Sequence, residues 1–274
     1  MSQAAPGLDA ILADLAAEHA DLDAVVAPLG DAQWETPTPA EGWAVRDQVG
    51  HLAYFDGEAR RAITDPEGFT AGLAAIVEDP EGWMAAAVEQ GRRLAPQDLL
   101  AWWRSDRAAL IEAARGLDPR ARIPWYGPAM GALSFLSARL METWIHGQDV
   151  ADALGAERRP TARLRHVAHI AVRARAFNYV QHGRPLPEAE VRVELAAPGG
   201  DTWAWGPEDA TDRVTGDALD FCLLTTQRRH LLDTDLSVEG PLAQEWMGIA
   251  QAFAGPPGPG RRPGQFPKRS SATR

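Results

Sequence analysis

Glu142 and His146 stand four residues apart in the stretch Phe135-Leu-Ser-Ala-Arg-Leu-Met-Glu-Thr-Trp-Ile-His-Gly-Gln-Asp-Val150. On a helix turning about 100° per residue, their side chains lie one above the other and can converge on a single metal ion. Phe135, Arg139 and Asp149 share the same arc. Leu136, Leu140, Trp144 and Val150 cover much of the remaining surface, which predicts a largely buried helix. Four ionisable groups in one row of such a helix are costly unless something binds them. A buried Arg-Glu-His-Asp salt-bridge network without metal would also satisfy the row.

A third ligand has to come from elsewhere in the chain. The single cysteine, Cys222, rules out an internal disulfide and a cysteine-rich zinc site, so histidines and carboxylates are the donors left. His51 falls beside Phe55, at the edge of the stripe Val45, Val49, Leu52, Ala59 and Ile63, in a helix expected from 44 to about 63. That position lets an imidazole lean into an interhelical cavity while its helix packs. Alone, His51 would be an ordinary interfacial histidine; Glu142 and His146 give it a partner site. Two histidines and one glutamate from two helices leave at least one coordination position open, as in a catalytic rather than a structural zinc site. Nickel or iron would suit the same ligands. The open position can take a water or a thiol, whose pKa the metal lowers so that a nucleophile exists at neutral pH. Arg139, one turn before Glu142, could orient that carboxylate or grip a substrate carboxylate. Asp149, one turn after His146, could support a ligand histidine or anchor a cationic group on the substrate.

Nucleophiles from the protein itself are poor candidates. Cys222 lies in the apolar helical run Leu219-Asp-Phe-Cys-Leu-Leu, where a buried inert thiol is the usual case. The sequence has no Gly-x-Ser-x-Gly elbow and no Gly-x-Gly-x-x-Gly or Walker-type phosphate loop.

Three further helices should position this row. Apolar periodicity predicts one over residues 7–29, with Leu8, Ile11, Leu12, Leu15, Leu22, Val25 and Val26. His19 within it has no ligand-spaced partner and reads as a packing or surface histidine. The helix over 44–63 follows a connection rich in Pro and Thr, and another covers 97–117. Residues 64–95 hold two short helical patterns broken at Asp65-Pro66 and Asp79-Pro80, an insertion that could act as a lid. The link 118–130 contains Ile123-Pro-Trp-Tyr-Gly-Pro128, a rigid aromatic loop. Trp125 and Tyr126 there either wall a cofactor pocket or cap the end of the bundle. Four long helices in this order predict a four-helix bundle, whose core commonly houses sites built from facing helices.

After Gly155 the character changes. A helix is expected over 161–181; it carries His166 and His169, but no third ligand is placed near them. Val191–Leu195 and Thr202–Trp205 alternate across a Pro-Gly-Gly-Asp turn and predict a hairpin. A helix from Gly216 to about Leu232, a short strand at 236–240 and a last helix from Pro241 to Phe253 complete this half. The expected fold class is α+β: a metal-binding four-helix bundle over 1–157, a small α+β domain over 158–254, and a Pro/Gly-rich mobile tail over 255–274.

Composition narrows the partners. The chain has 274 residues, 45% hydrophobic and 24% charged, as expected of a soluble globular protein. A formal net charge of −11 argues against a nucleic-acid or anionic-membrane partner. No apolar run is long enough to span a bilayer, and the first residues lack the features of a signal peptide, so the expected location is cytoplasmic.

The stretches Gly42-Trp-Ala-Val-Arg-Asp-Gln-Val-Gly-His51-Leu and Glu142-Thr-Trp-Ile-His146-Gly-Gln-Asp149-Val resemble the DinB-like superfamily, within it the metal-binding domain family of mycothiol-dependent maleylpyruvate isomerase. The second half, with Trp-Gly-Pro-Glu-Asp and Thr-Gln-Arg-Arg-His, resembles a subfamily of bacterial metal-binding proteins without an assigned reaction. In the isomerase family the corresponding residues bind zinc, which implies His51, Glu142 and His146 here. The resemblance further implies an ion that activates the thiol of a low-molecular-weight cofactor such as mycothiol. That thiol would attack a small electrophilic substrate, giving thiol transfer or cis–trans isomerisation, in a monomer or homodimer. A metal-dependent hydrolase or lyase using bound water needs the same ligands. A non-enzymatic metal- or ligand-binding protein would instead fill every coordination position with side chains.

Overall fold

The computed structural model describes residues 7–256 and 258–266, the side chains at 75 and 77 excepted. The chain divides into two compact units, Met1–Arg158 and Arg159–Arg274, and its fold class is α+β.

In the first unit, α1 (Leu8–Val26), a one-turn α2 (Asp31–Trp34) and α3 (Val45–Thr64) are followed by α4 (Pro66–Glu78), α5 (Pro80–Arg92), α6 (Pro96–Arg115) and α7 (Ala132–Leu154). The four long helices expected of the bundle are α1, α3, α6 and α7. Prolines open α4, α5 and α6, where a missing N–H costs nothing. The Asp79 carboxylate caps α5 by accepting from Gly82 N–H at 2.9 Å. The two Asp-Pro breaks expected inside 64–95 are therefore real helix boundaries.

The core between these helices gathers Leu22, Val26, Trp34, Val45, Val49, Leu52, Leu99, Trp103 and Val150. Trp34 and Trp103 expose no surface. Indole rings of this kind bury about 150–250 Å² each, a few kcal/mol apiece at roughly 25 cal/mol per Å². Helix α3 packs on α5, α6 and α7, and α1 packs on α7. The α3–α5 contact is backbone to backbone: a Cβ added to Gly91 would lie 3.2 Å from Gly50 Cα. Any larger residue at either position would push α5 away from the turn that carries His51.

The link 118–130 departs from the loop expected there. Its ends pair as β1 (Arg122–Ile123) and β2 (Met130–Gly131), antiparallel, with Arg122 opposite Gly131 and Ile123 opposite Met130. The aromatic segment is thus the closed end of a small hairpin. Two-residue strands are too short to leave an alternating pattern in the sequence.

The second unit contains α8 (Leu164–Arg173), α9 (Arg175–Gln181), β3 (Val191–Ala196), β4 (Thr202–Trp205), β5 (Asp212–Asp217), α10 (Ala218–Thr225), β6 (Ser237–Glu239) and α11 (Pro241–Ile249). The sheet runs β4-β3-β5-β6. The expected hairpin is β3–β4, with Val193 opposite Trp205 and Ala196 opposite Thr202. Strand β5 lies parallel to β3 and was not expected. Val214 is its one aliphatic residue, so no alternation marks it. Buried Asp212 holds it instead, accepting from Leu242 and Ala243 N–H at 2.7 and 3.1 Å.

The helix expected from Gly216 starts at Ala218, where the Asp217 side chain caps Leu219 N–H at 2.8 Å, and ends at Thr225. The single helix expected over 161–181 is broken at Ala174, whose N–H turns to both Ile170 and Val172 carbonyls. Helix α11 stops at Ile249 because Ala250 takes up extended backbone. Of the tail expected to be mobile, residues 257 and 267–274 lie outside the described residues. Gly264 N–H donates to Asp233 at 2.8 Å, and Phe266 lies under the Arg229 guanidinium at 4.1 Å, so part of that segment is tied down. Among the described residues no helix is long and apolar enough to cross a membrane.

Candidate metal centre

Helix α7 brings Glu142 and His146 to one face, and α3 brings His51 opposite them. The Nε2 atoms of His146 and His51 lie 3.4 and 3.9 Å from Glu142 Oε2. All three ligand atoms fall within 4.8 Å of one another. Donors bonded at about 2.1 Å to a tetrahedral ion sit about 3.4 Å apart, which the His146–Glu142 distance already matches and the His51–Glu142 distance exceeds by about half an ångström.

The protonation states suit a cation. Burial, with the nearby His146, lowers the His51 pKa to about 4 against the pull of Glu142, so its imidazole is neutral at pH 7. Burial alone would push the Glu142 carboxyl up, but the facing imidazoles of His146 and His51 and the Arg139 charge hold it well below the usual range. Neutral imidazole and ionised carboxylate are the forms a metal binds.

The two histidines are held differently. His146 Nδ1 lies 2.5 Å from Gln48 Oε1. His51 Nδ1 is buried without a hydrogen-bond partner. Rings position it instead: His146 at 4.3 Å between centroids, Phe55 at 4.5 Å and Trp43 at 5.4 Å. Trp43 also stacks over His146 at 6.0 Å, and so covers both imidazoles.

Arg139 and Asp149 do not join the cluster. Arg139 was expected to orient Glu142 or grip a substrate carboxylate, but Nε and Nη2 of its guanidinium both donate to Asp56 Oδ1, at 3.2 and 2.8 Å. It is 3% exposed and acts on Glu142 only through its charge. Asp149 has no exposed surface, which leaves it no face toward a substrate cation. Both lie buried on the helix that carries Glu142 and His146.

Trp125 and Tyr126 belong to a continuous aromatic cluster. Trp125 stacks flat on Phe69 of α4 at 5.6 Å and meets Phe135 edge-on at 5.1 Å. Tyr126 tilts on Trp83 of α5 at 4.8 Å and donates its hydroxyl to Glu58 Oε2 at 3.0 Å. Both rings contact Phe55, at 6.3 and 5.7 Å, and through it the cluster reaches His51. The insertion 64–95 therefore packs its aromatic residues beside the site. His169, on α8, accepts from Trp205 Nε1 at 3.2 Å and belongs to no cluster of three possible ligands among the described residues.

Sequence reasoning missed Gln48 and Asp56 as members of the site. Asp56 continues the apolar series Val49, Leu52, Ala59 of α3, and a carboxylate in that stripe was a readable signal of a buried partner.

Comparison with known proteins agrees with this geometry. Residues 15–151 match the family described as mycothiol maleylpyruvate isomerase N-terminal domain, and residues 187–238 match one described as wyosine base formation. Uncharacterized proteins from two strains of Mycobacterium tuberculosis are 48% identical over 250 residues, covering 91% of this chain and 97% of theirs. Crystal structures of the mycothiol-dependent maleylpyruvate isomerase and of a His-to-Ala mutant of it align with a TM-score of 0.56 and 16% identity, over 82% of this chain and 90% of theirs. At that identity the structural likeness speaks for the fold. The 137-residue match over the bundle, half of the chain, together with the four helices and their His-Glu-His cluster, places the chain in the mycothiol maleylpyruvate isomerase N-terminal domain family.

Proposed function

We propose that the protein is a metal-dependent enzyme of the thiol-transferase or isomerase type, which presents a low-molecular-weight thiol such as mycothiol to a small electrophilic substrate. The observation that carries this reading is the convergence of His51, Glu142 and His146 from two helices, three donors that leave a coordination position free. Zinc bound there would supply a Lewis acid that keeps a thiol in its thiolate form at neutral pH.

The remaining work falls to the chain. Glu142 provides the negative charge, kept ionised by its neighbours. His51 and His146 provide imidazole nitrogen donors, that of His51 kept neutral by burial. Trp43 and Phe55 pack against the imidazoles and keep water from their flanks. The cluster of Phe55, Phe69, Trp83, Trp125 and Tyr126 offers an apolar wall beside the site for the carbon skeleton of a substrate. Arg139 and Asp149 are both buried on the ligand helix α7, where Arg139 ties it to Asp56 of α3. The protein has no thiol of its own to offer, since Cys222 is fully buried and burial pushes its pKa well up. An incoming thiol fits that lack.

The test is turnover of an electrophile, maleylpyruvate first, by the zinc-loaded protein with and without added mycothiol. Turnover that needs both metal and thiol supports the reading. Turnover that is the same without thiol would replace it with metal-assisted hydrolysis or a lyase reaction at the same centre.

A further inference from the structure

Gln48 supplies none of the three ligand atoms, yet a buried hydrogen-bond chain ends through it on one of them. It is fully buried on α3, one turn before His51. The direction of the chain can be read from its outer end. Thr38 Oγ1 lies 2.8 Å from the Trp43 carbonyl oxygen, which can only accept, so the hydroxyl hydrogen points there. The second carbonyl in reach, Ala40 O at 3.5 Å, leads to the same orientation. The Thr38 oxygen is then left to accept from Gln48, 2.8 Å away, which turns the amide nitrogen toward Thr38. The amide oxygen therefore faces His146 Nδ1 at 2.5 Å. An acceptor at that position requires a hydrogen on Nδ1 and leaves the lone pair of a neutral ring on Nε2, the atom that faces Glu142.

The opposite tautomer would let Nε2–H donate to Glu142. It would require the Gln48 amide to turn over and place Oε1 against the Thr38 oxygen, unless the hydroxyl released Trp43. The loop makes that release costly. Thr38 N–H also donates to the Trp43 carbonyl at 2.7 Å, Val45 N–H donates to Thr36 O at 3.0 Å, and Pro37 bridges Ala44. Gly42 turns the loop at φ +76°, a conformation that a side chain disfavours.

We propose that Gln48, oriented by Thr38, is the positioning residue that fixes His146 as its Nδ1–H tautomer and so sets Nε2 as the metal-binding atom. The proposal rests on the metal-centre reading above and assigns this role to two residues outside the ligand set. Neutral imidazole without such a partner distributes its hydrogen over both nitrogens, and outer partners of this kind are worth about 10–100-fold in metal affinity.

The experiment uses the full chain with two readouts. The zinc dissociation constant is measured by competition with a chromophoric chelator, and the His146 tautomer of the metal-free protein by long-range 1H–15N NMR at neutral pH. Gln48→Leu should weaken zinc about 10–100-fold and abolish the Nδ1–H preference. Gln48→Glu, which keeps an acceptor opposite Nδ1, should restore both. Thr38→Val, which frees the amide to turn without altering the α3–α7 contact, should give mixed tautomers and an intermediate affinity even if Gln48→Leu proves too unstable to purify. Wild-type zinc affinity in Gln48→Leu, or an Nε2–H tautomer for His146 in the wild-type protein, overturns the proposal. Absence of zinc binding by the wild-type protein would overturn the metal centre instead, while the tautomer measurement still decides the role of Gln48.

Discussion

Arg139, one turn before Glu142 on α7, and Asp56, about a turn and a half after His51 on α3, join the two ligand helices: the guanidinium lies 2.8 Å from Asp56 Oδ1, with side chains 4% and 0% exposed. The other carboxylate oxygen faces Trp103 Nε1 at 3.3 Å and His19 Nε2 at 3.5 Å. A charge so fully removed from water depends on its partner, because removing one member leaves the other buried and uncompensated. Asp56→Ala and Arg139→Met should each lower the unfolding free energy by about 3–5 kcal/mol, and the double variant by much less than the sum. Urea denaturation measures all three. Single losses under about 1 kcal/mol would show that the pair is not what holds the two helices in register.

The same pocket makes stability depend on pH. Burial lowers the His19 pKa to about 4, with Asp56 opposing and Arg107 and Arg139 assisting. In the unfolded chain the imidazole titrates near 6.5. Between those values the unfolded state holds the extra proton. Stability from His19 is therefore fully present above about pH 6.5 and is lost as pH falls toward about 4, by roughly 3 kcal/mol in all. His51 shifts in the same direction in the metal-free protein. Denaturation of metal-free protein at pH 7.5 and 4.5 should show a smaller acid loss for His19→Gln than for wild type. Equal losses would remove His19 from the account.

Glu142 and His146 are legible in the sequence because both belong to one uninterrupted helix, where spacing alone fixes proximity. His51 needs the assumption that α3 and α7 face each other, which the bundle pattern supplies. Arg139 is where such reasoning stops. Its sequence neighbour at i+3 is Glu142, but its guanidinium answers the stronger demand of Asp56, a carboxylate with no exposed surface in a different helix. Helix periodicity reports which face a residue occupies and is silent on which buried charge across the interface needs it most. Gln48 is hidden for a related reason: its role lies in the direction of a hydrogen-bond chain that begins in the 36–45 loop. Strand β5 escapes because buried Asp212, rather than an alternating apolar face, anchors it.

Metal removal should be felt as stability as well as activity. A ligand that binds only the folded state stabilises it by mass action, by about 2.7 kcal/mol at a free concentration 100-fold above its dissociation constant. Zinc at that excess should raise the unfolding free energy of wild type by this amount. It should do nothing for His51→Ala, Glu142→Gln or His146→Ala, whose metal content by elemental analysis should fall toward zero. Full metal content in both histidine variants would mean that the ion sits elsewhere.

Cys222 offers the sharpest separation between a nucleophile of the protein and one brought by a cofactor. Its sulfur sits on α10, fully buried, with Leu164 O at 3.5 Å, and burial together with the Asp217 charge keeps the thiol protonated. A thiol reagent reaches such a group only when the structure opens, so labelling of the folded protein should be slow and should accelerate sharply in denaturant. Cys222→Ala removes one sulfur from a packed helix and should cost about 1–2 kcal/mol of stability. It should leave thiol-dependent turnover within about twofold of wild type, because the variant still binds the metal and the added thiol as before. Loss of turnover in a folded, zinc-loaded Cys222→Ala protein would return the nucleophile to the chain and remove the need for a thiol cofactor.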